Sequence, residues 1–279
     1  MRRGFPPPFF VALPISTCVL LASISSQAAT CNPGELCLIS NGAYRYLEPG
    51  TASQSETPVI LYFHGFGSSS EAVLRRQSFV ERVLERGYAF VALEGAKGGF
   101  FPNHRDWSIR DGSPSWRNEA AFARSVLDDL EQEVPIDRKR VLLAGFSRGG
   151  SAVWDIACHD PKGFTAFAPA AGALWRPMPE QCKEAVRLFH THGWQDNVVP
   201  LEGRLIPNYP LRQGDVFESL QLMRDAAELS NDKPDGFETL DEMQCRHWAD
   251  GKLRLCIHPY GHLFPSDWFD RVIDWFERK

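Results

Sequence analysis

Predominantly apolar residues come in short runs along this chain, at 58–63, 88–94, 141–144, 164–168, 186–190 and 253–258. Runs of that length suit strands covered on both faces rather than strands with one wet face. Between several of them the spacing changes to that of a helix. Ser68 with Glu71 reads as a capping box opening a helix to Arg86, closed by Gly87. In 118–133, Ala121, Val126, Leu127 and Leu130 supply the apolar positions of a second helix, and Pro135 ends it. The run at 141–144 leads into a helix that extends to about Cys158, and 215–229 predicts another. Trp268, Val272 and Phe276 share one face of a terminal helix that Ser266 can cap.

Two alternating runs, 35–40 and 43–48, flank Asn41-Gly42 and predict an opening β-hairpin with a tight primed turn. A second hairpin is expected from Cys245 to Cys256, around Asp250-Gly251. Strands alternate with helices after the opening hairpin, without an internal repeat. The fold class implied is α/β, a mostly parallel sheet with helices on both faces. In such sheets the chemistry collects beyond the carboxyl ends of the strands.

One strand end carries the strongest signal. Residues 141–144 run straight into Gly145-Phe146-Ser147-Arg148-Gly149, and a helix of small residues follows. This is the Gly-x-Ser-x-Gly elbow in the strand–turn–helix setting that gives the pattern meaning. The turn must be tight enough to lift the Ser147 hydroxyl clear of the sheet. Glycines at 145 and 149 remove side chains that would strike the neighbouring strand and helix. The following helix also aims its first N–H groups toward the serine.

A serine hydroxyl needs a base within hydrogen-bond reach, and the base needs a carboxylate to hold one tautomer. Chain order in this architecture is serine, acid, histidine. Asp196 lies in a turn after the run at 186–190, and His262 lies in a Gly-His loop after the last strand. Both are therefore the expected acid and base. Asp215 is the spare acid, in a helix-cap position, and His258 is the reserve base, at the strand tip. Two backbone N–H groups must hold an oxyanion. Arg148 supplies one and Phe66 the other, with Gly65 or Gly67 as alternatives in the His64-Gly65-Phe66-Gly67 loop. His190 and His192 share a strand face, but no third ligand presents itself, so no metal is expected. Trp107, Trp175 and Trp194 are candidate substrate-binding residues, within a set of aromatics that also includes Phe100, Phe101 and Trp116.

Composition narrows the setting. The 279 residues are 43% hydrophobic with a formal net charge of −5, which suits one domain and argues against nucleic acid as partner. Residues 1–29 read as a signal peptide: Arg2-Arg3, an apolar stretch from 9 to 24, and a small-x-small cleavage site at Ser26-Gln27-Ala28. The apolar stretch is short and broken by Pro14, so no stable membrane anchor is expected. Losing Cys18 leaves six cysteines in 30–279, an even number that suits an oxidising compartment. Local pairing gives Cys31–Cys37, Cys158–Cys182 and Cys245–Cys256.

Four stretches together resemble the secreted polyhydroxybutyrate depolymerase / feruloyl-esterase-like family of α/β hydrolases. They are 58–67, the elbow with Arg140 to Ala144 before it, 164–172, and His192-Gly193-x-x-Asp196-x-x-Val199-Pro200. The resemblance implies an α/β-hydrolase fold over 30–279 and a serine esterase acting through an acyl-enzyme. It carries the nucleophile onto Ser147, the acid onto Asp196 and the base onto His262. No cofactor is implied, and the partner is an ester substrate, small molecule or polymer, met by a monomer. Arg148 departs from the asparagine or glutamine common there, and His262 lacks the usual Gly-Gly-x-His-x-Trp context. Both departures bear on substrate more than on reaction. An acyl-peptidase, a dienelactone-type hydrolase, a metal-dependent deacylase and an inactive binding protein are the rival readings.

Overall fold

The apolar runs become the centre of one ten-stranded sheet. A computed structural model describes Met1, Gly4 and residues 31–50, 56–229, 231 and 233–278. In chain order, Cys37–Ile39 (β1), Gly42–Leu47 (β2) and Thr57–Phe63 (β3) lead to the helices Ser70–Leu74 (α1) and Gln77–Glu85 (α2). Next come Ala89–Leu93 (β4), a two-stranded pair of Ala96–Lys97 (β5) with Arg105–Asp106 (β6), and Glu119–Leu130 (α3). Ile136–Phe146 (β7), Arg148–His159 (α4), Ala166–Ala170 (β8) and Leu188–Gly193 (β9) follow. The chain closes with Val216–Ala226 (α5), Gly236–Leu240 (β10), Met243–Trp248 (β11), Leu253–His258 (β12) and Trp268–Glu277 (α6).

The sheet order is β1-β2-β4-β3-β7-β8-β9-β12-β11-β10. From β4 to β12 all neighbours are parallel. The opening hairpin and the β10–β11 pair add antiparallel strands at the two edges. Side chains alternate between two cores, as the two-residue period of a strand requires. Val59, Leu61, Phe63, Val141 and Leu143 pack with α3, α4 and α5 on one face. Ile60, Tyr62, Leu142 and Ala144 pack with α1, α2 and α6 on the other. The chain therefore has the α/β-hydrolase architecture expected of it.

Several boundaries differ from the sequence expectation. In the opening hairpin Ile39 pairs with Gly42, so the turn is Ser40-Asn41, and neither residue has positive φ. Gly42 serves packing instead, since a Cβ there would lie 2.4 Å from the ring of Phe122. The first helix starts one residue late, with Ser69 rather than Ser68 accepting from the Ala72 N–H, and it is interrupted at Arg75-Arg76. Ser266 does not cap α6; Asp267 holds the N-cap position without a side-chain bond. Strand β10 has no apolar run behind it, because a half-buried edge strand needs none.

The three cysteine pairs are Cys31–Cys37, Cys158–Cys182 and Cys245–Cys256, as local pairing predicts. The proposed leader, its cleavage site and Cys18 lie outside the described residues. Among the described residues no helix is long and apolar enough to cross a membrane.

Candidate active site

Ser147 sits between the end of β7 and the first residue of α4 with φ 59° and ψ −122°. This is a backbone conformation that residues with a side chain adopt at a cost of order 1–3 kcal/mol. The neighbouring glycines make the turn possible by close approach. A Cβ on Gly145 would stand 2.5 Å from the Gly149 carbonyl, and one on Gly149 would stand 2.0 Å from the Phe63 carbonyl. Gly149→Ala is therefore expected to destabilise the fold by about 1–3 kcal/mol or more, because only backbone could yield. Chemical denaturation checks this, and an unchanged midpoint would contradict the packing argument.

Three side chains far apart in sequence meet at this turn. His262 Nε2 lies 2.8 Å from Ser147 Oγ, and His262 Nδ1 lies 2.7 Å from Asp196 Oδ2. A carboxylate only accepts, so Nδ1 carries a proton and Nε2 of the neutral ring is free to accept from the serine hydroxyl. Asp196 Oδ1 accepts from the Val198 and Val199 N–H groups at 2.9 and 2.8 Å. Burial would raise this carboxyl's pKa. The His262 hydrogen bond, the Val199 N–H and the adjacent imidazoles outweigh burial and hold it below the ordinary carboxylate value.

Backbone bonds tie the acid turn to the base loop. Trp194 N–H donates to the His258 carbonyl and Gln195 N–H to the Tyr260 carbonyl. His258 is buried, donates from Nε2 to the Leu263 carbonyl and accepts at Nδ1 from the Tyr260 N–H. It braces the loop on either side of His262 rather than standing in reserve for it. The spare acid, Asp215, is spent on capping α5, accepting from the Phe217 and Glu218 N–H groups.

Behind Asp196 runs a chain of buried groups that the sequence did not reveal. His192 Nε2 lies 2.7 Å from the Val199 carbonyl, and its Nδ1 lies 3.0 Å from His190 Nε2. His190 Nδ1 lies 2.9 Å from the Pro169 carbonyl and 3.2 Å from Trp154 Nε1. The two rings thus bridge from the Pro169 carbonyl to the turn that holds Asp196. Burial pushes both histidines below the ordinary value, and the neighbouring His192 ring lowers His190 further. His64, also buried, is lowered to about 4.

The sign of the pH effect follows. An unfolded histidine takes a proton near ~6.5, and the fold resists that proton at all three positions. Their stability contribution is complete above that pH and declines as pH falls toward the folded values. Asp196, held below the ordinary carboxylate value, acts in the same direction only at lower pH, where an unfolded carboxyl near ~3.9 takes its proton. Melting temperature should therefore drop steadily from about pH 6.5 to about pH 4. A flat profile across that window would contradict neutral burial of these rings.

Among the described residues the Phe66 and Arg148 N–H groups have no protein acceptor. Gly67, the alternative in that loop, donates to the Arg105 carbonyl at 2.9 Å and is committed there. An ideal Cβ on Gly65 would lie 3.6 Å from the Cβ of Ser147, so the loop passes close beside the hydroxyl. His64 itself does not reach the serine. It donates to the Gly65 carbonyl and accepts from the Gly95 N–H.

The tryptophans divide. Trp107 is fully buried and donates from Nε1 to the His64 carbonyl, and Trp175 is 7% exposed, packed over the Arg148 guanidinium at 4.3 Å. Neither ring offers a surface to a substrate, which corrects the sequence expectation for both. Trp194 is 67% exposed on the acid turn. Sequence reasoning could not separate them, because buried and exposed tryptophans in a loop look alike. The exposed rings beside the Phe66 loop are Phe66, Phe100 and Tyr209, with Phe101 between them. Phe101 lies 4.9 Å from Phe66 and 4.4 Å from Tyr209.

Comparison with known proteins bears on the family and the fold. The family model described as phospholipase/carboxylesterase matches residues 50–207, more than half of the chain. A protein of Nocardia uniformis subsp. tsuyamanensis named as an esterase is 29% identical over 164 residues, 58% of this chain and 47% of its own. Feruloyl esterase B of Piromyces equi is 24% identical over 160 residues, 56% of this chain and 29% of its own. The chain thus spans less than half the length of these curated relatives. Acetyl xylan esterase from Aspergillus awamori shares the fold, with a TM-score of 0.53 at 13% identity over 85% of this chain and 94% of that one. The chain belongs to the phospholipase/carboxylesterase family and has the α/β-hydrolase fold.

Proposed function

We propose that this member of the phospholipase/carboxylesterase family is a secreted serine esterase that hydrolyses carboxylic esters through an acyl-enzyme. The observation that carries the reading is the unbroken hydrogen-bond chain from Asp196 through His262 to Ser147, at a strained strand–helix turn. Ser147 Oγ attacks the ester carbonyl carbon while His262 Nε2 takes its proton. The Phe66 and Arg148 N–H groups hold the oxyanion, and Asp196 stabilises the imidazolium without taking its proton. His262 then protonates the departing alkoxide as the carbonyl carbon–oxygen bond breaks. A water molecule, deprotonated by the same nitrogen, attacks the acyl-enzyme and releases the acid and the serine.

Relatives named for feruloyl and acetylxylan esters support an ester of a phenolic acid or a short acyl group, carried on a small molecule or a polymer. The Phe66, Phe101 and Tyr209 rings are suited to take its apolar part. Three disulfides support an oxidising compartment, and residues 1–29 a removable leader.

A panel of p-nitrophenyl acetate, methyl ferulate, polyhydroxybutyrate, a small lactone and an N-acyl peptide amide tests the reading. Hydrolysis of at least one open-chain ester is expected, with kcat/KM roughly a hundredfold above the amide and the lactone. Preference for the amide or the lactone would overturn it.

A further inference from the structure

Arg148 differs from its surroundings in sending a long charged side chain into the interior. That side chain is 6% exposed. Its Nε donates to Asp106 Oδ1 at 2.8 Å, and its Nη2 to Asp111 Oδ2 at 2.8 Å and to the Trp107 carbonyl at 3.2 Å. Both carboxylates are almost fully buried, and the Trp175 ring covers the guanidinium. All three acceptors belong to the stretch between β4 and α3, the long insertion at a strand end.

The same stretch holds the Phe66 loop. Trp107 Nε1 donates to the His64 carbonyl at 2.7 Å, the Gly95 N–H donates to His64 Nε2 at 3.0 Å, and the Arg105 carbonyl accepts from the Gly67 N–H at 2.9 Å. Residues 95–111 therefore grip the loop bearing one free N–H and, through Arg148, the turn bearing the other. A guanidinium fork is suited to this because it fixes two acceptors in one plane, which a single ammonium on a flexible stem does not.

We infer that the Arg148 side chain is a positioning group for the oxyanion site, locking the elbow to the insertion so that the Arg148 and Phe66 N–H groups converge on one point. The insertion is then a fixed brace rather than a lid. This inference rests on the esterase reading above and adds a role to a side chain that reading leaves idle. Displacement of an oxyanion donor by about 1 Å is enough to cost on the order of a hundredfold in rate.

The test compares parent, Arg148→Lys, Asp111→Asn and Ser147→Ala, measuring kcat and KM for p-nitrophenyl acetate and inhibition by phenylboronic acid. The boronate adduct on Ser147 places an oxygen where the oxyanion forms. Arg148→Lys is expected to lower kcat about 10- to 100-fold with KM changed less than about threefold, and to weaken boronate inhibition by the same factor as kcat/KM. Asp111→Asn, which keeps the side chain's shape, is expected to lower both by about three- to tenfold, and it decides the matter if Arg148→Lys does not fold. A folded Arg148→Lys variant with kcat within about twofold of parent would overturn the inference. So would a loss of kcat with boronate affinity intact, since that would mean a defect outside the oxyanion site. Failure of the underlying reading looks different: Ser147→Ala would then retain parental activity.

Discussion

Ser147→Ala is expected to lower kcat for p-nitrophenyl acetate by roughly a million-fold, with a thermal unfolding curve close to that of the parent. The change removes a single oxygen that accepts no backbone bond in the fold. Its recorded partner is His262 Nε2, so stability has little to lose. Catalysis loses its attacking atom. What remains is the oxyanion site and substrate binding, worth roughly 10³- to 10⁴-fold over water. An inactive binding protein on this fold predicts the opposite: no difference between parent and variant above the buffer rate. Steady-state kinetics at saturating ester separates the two outcomes.

The second large effect concerns the acid. Asp196→Asn should lower kcat by about 10⁴-fold with KM little changed. The reason lies in the second oxygen of the carboxylate. Asp196 Oδ1 is fixed by the Val198 and Val199 N–H groups, and an asparagine would keep its carbonyl oxygen there. Its amide N–H would then face His262 Nδ1, where the carboxylate now accepts. Nδ1 must become an acceptor, so the ring proton moves to Nε2 and points at Ser147. A base carrying its proton on the wrong nitrogen cannot receive one from the serine. The pH–rate profile and kcat of the variant check this; activity within about tenfold of parent would mean that Asp196 is not the orienting group.

Much of this arrangement was legible because the residues concerned are forced by local geometry. Gly145 and Gly149 are required by backbone atoms that a Cβ would meet at 2.5 and 2.0 Å, and such a constraint leaves a mark in the sequence. Asp196 and His262 each follow a strand, and strand ends in a parallel sheet share one rim. The cysteine pairs were legible for a related reason: Cys245 and Cys256 face each other across the β11–β12 ladder.

The parts that stayed hidden depend on contacts between distant segments. Arg148 pairs with residues 42 and 37 positions upstream, and nothing local marks a charged residue as buried. Trp107 and Trp175 went inside for the same reason, one to hold the His64 carbonyl and the other to cover the arginine. The His190–His192 pair lies on β9, where alternation predicts a shared face but not hydrogen bonding to each other. Strand β10 escaped because an edge strand alternates weakly and carries few apolar residues. The turn of the first hairpin was misplaced because Gly42 answers to Phe122 on α3, not to the turn.

The central claim is that Ser147 is a nucleophile activated by His262. Reaction of the folded protein with a fluorophosphonate, followed by mass mapping of the adduct, tests it most directly. One adduct on Ser147, formed in step with loss of esterase activity and absent from Ser147→Ala, is the predicted result. A folded, ester-hydrolysing protein that stays unlabelled at residue 147 would contradict it.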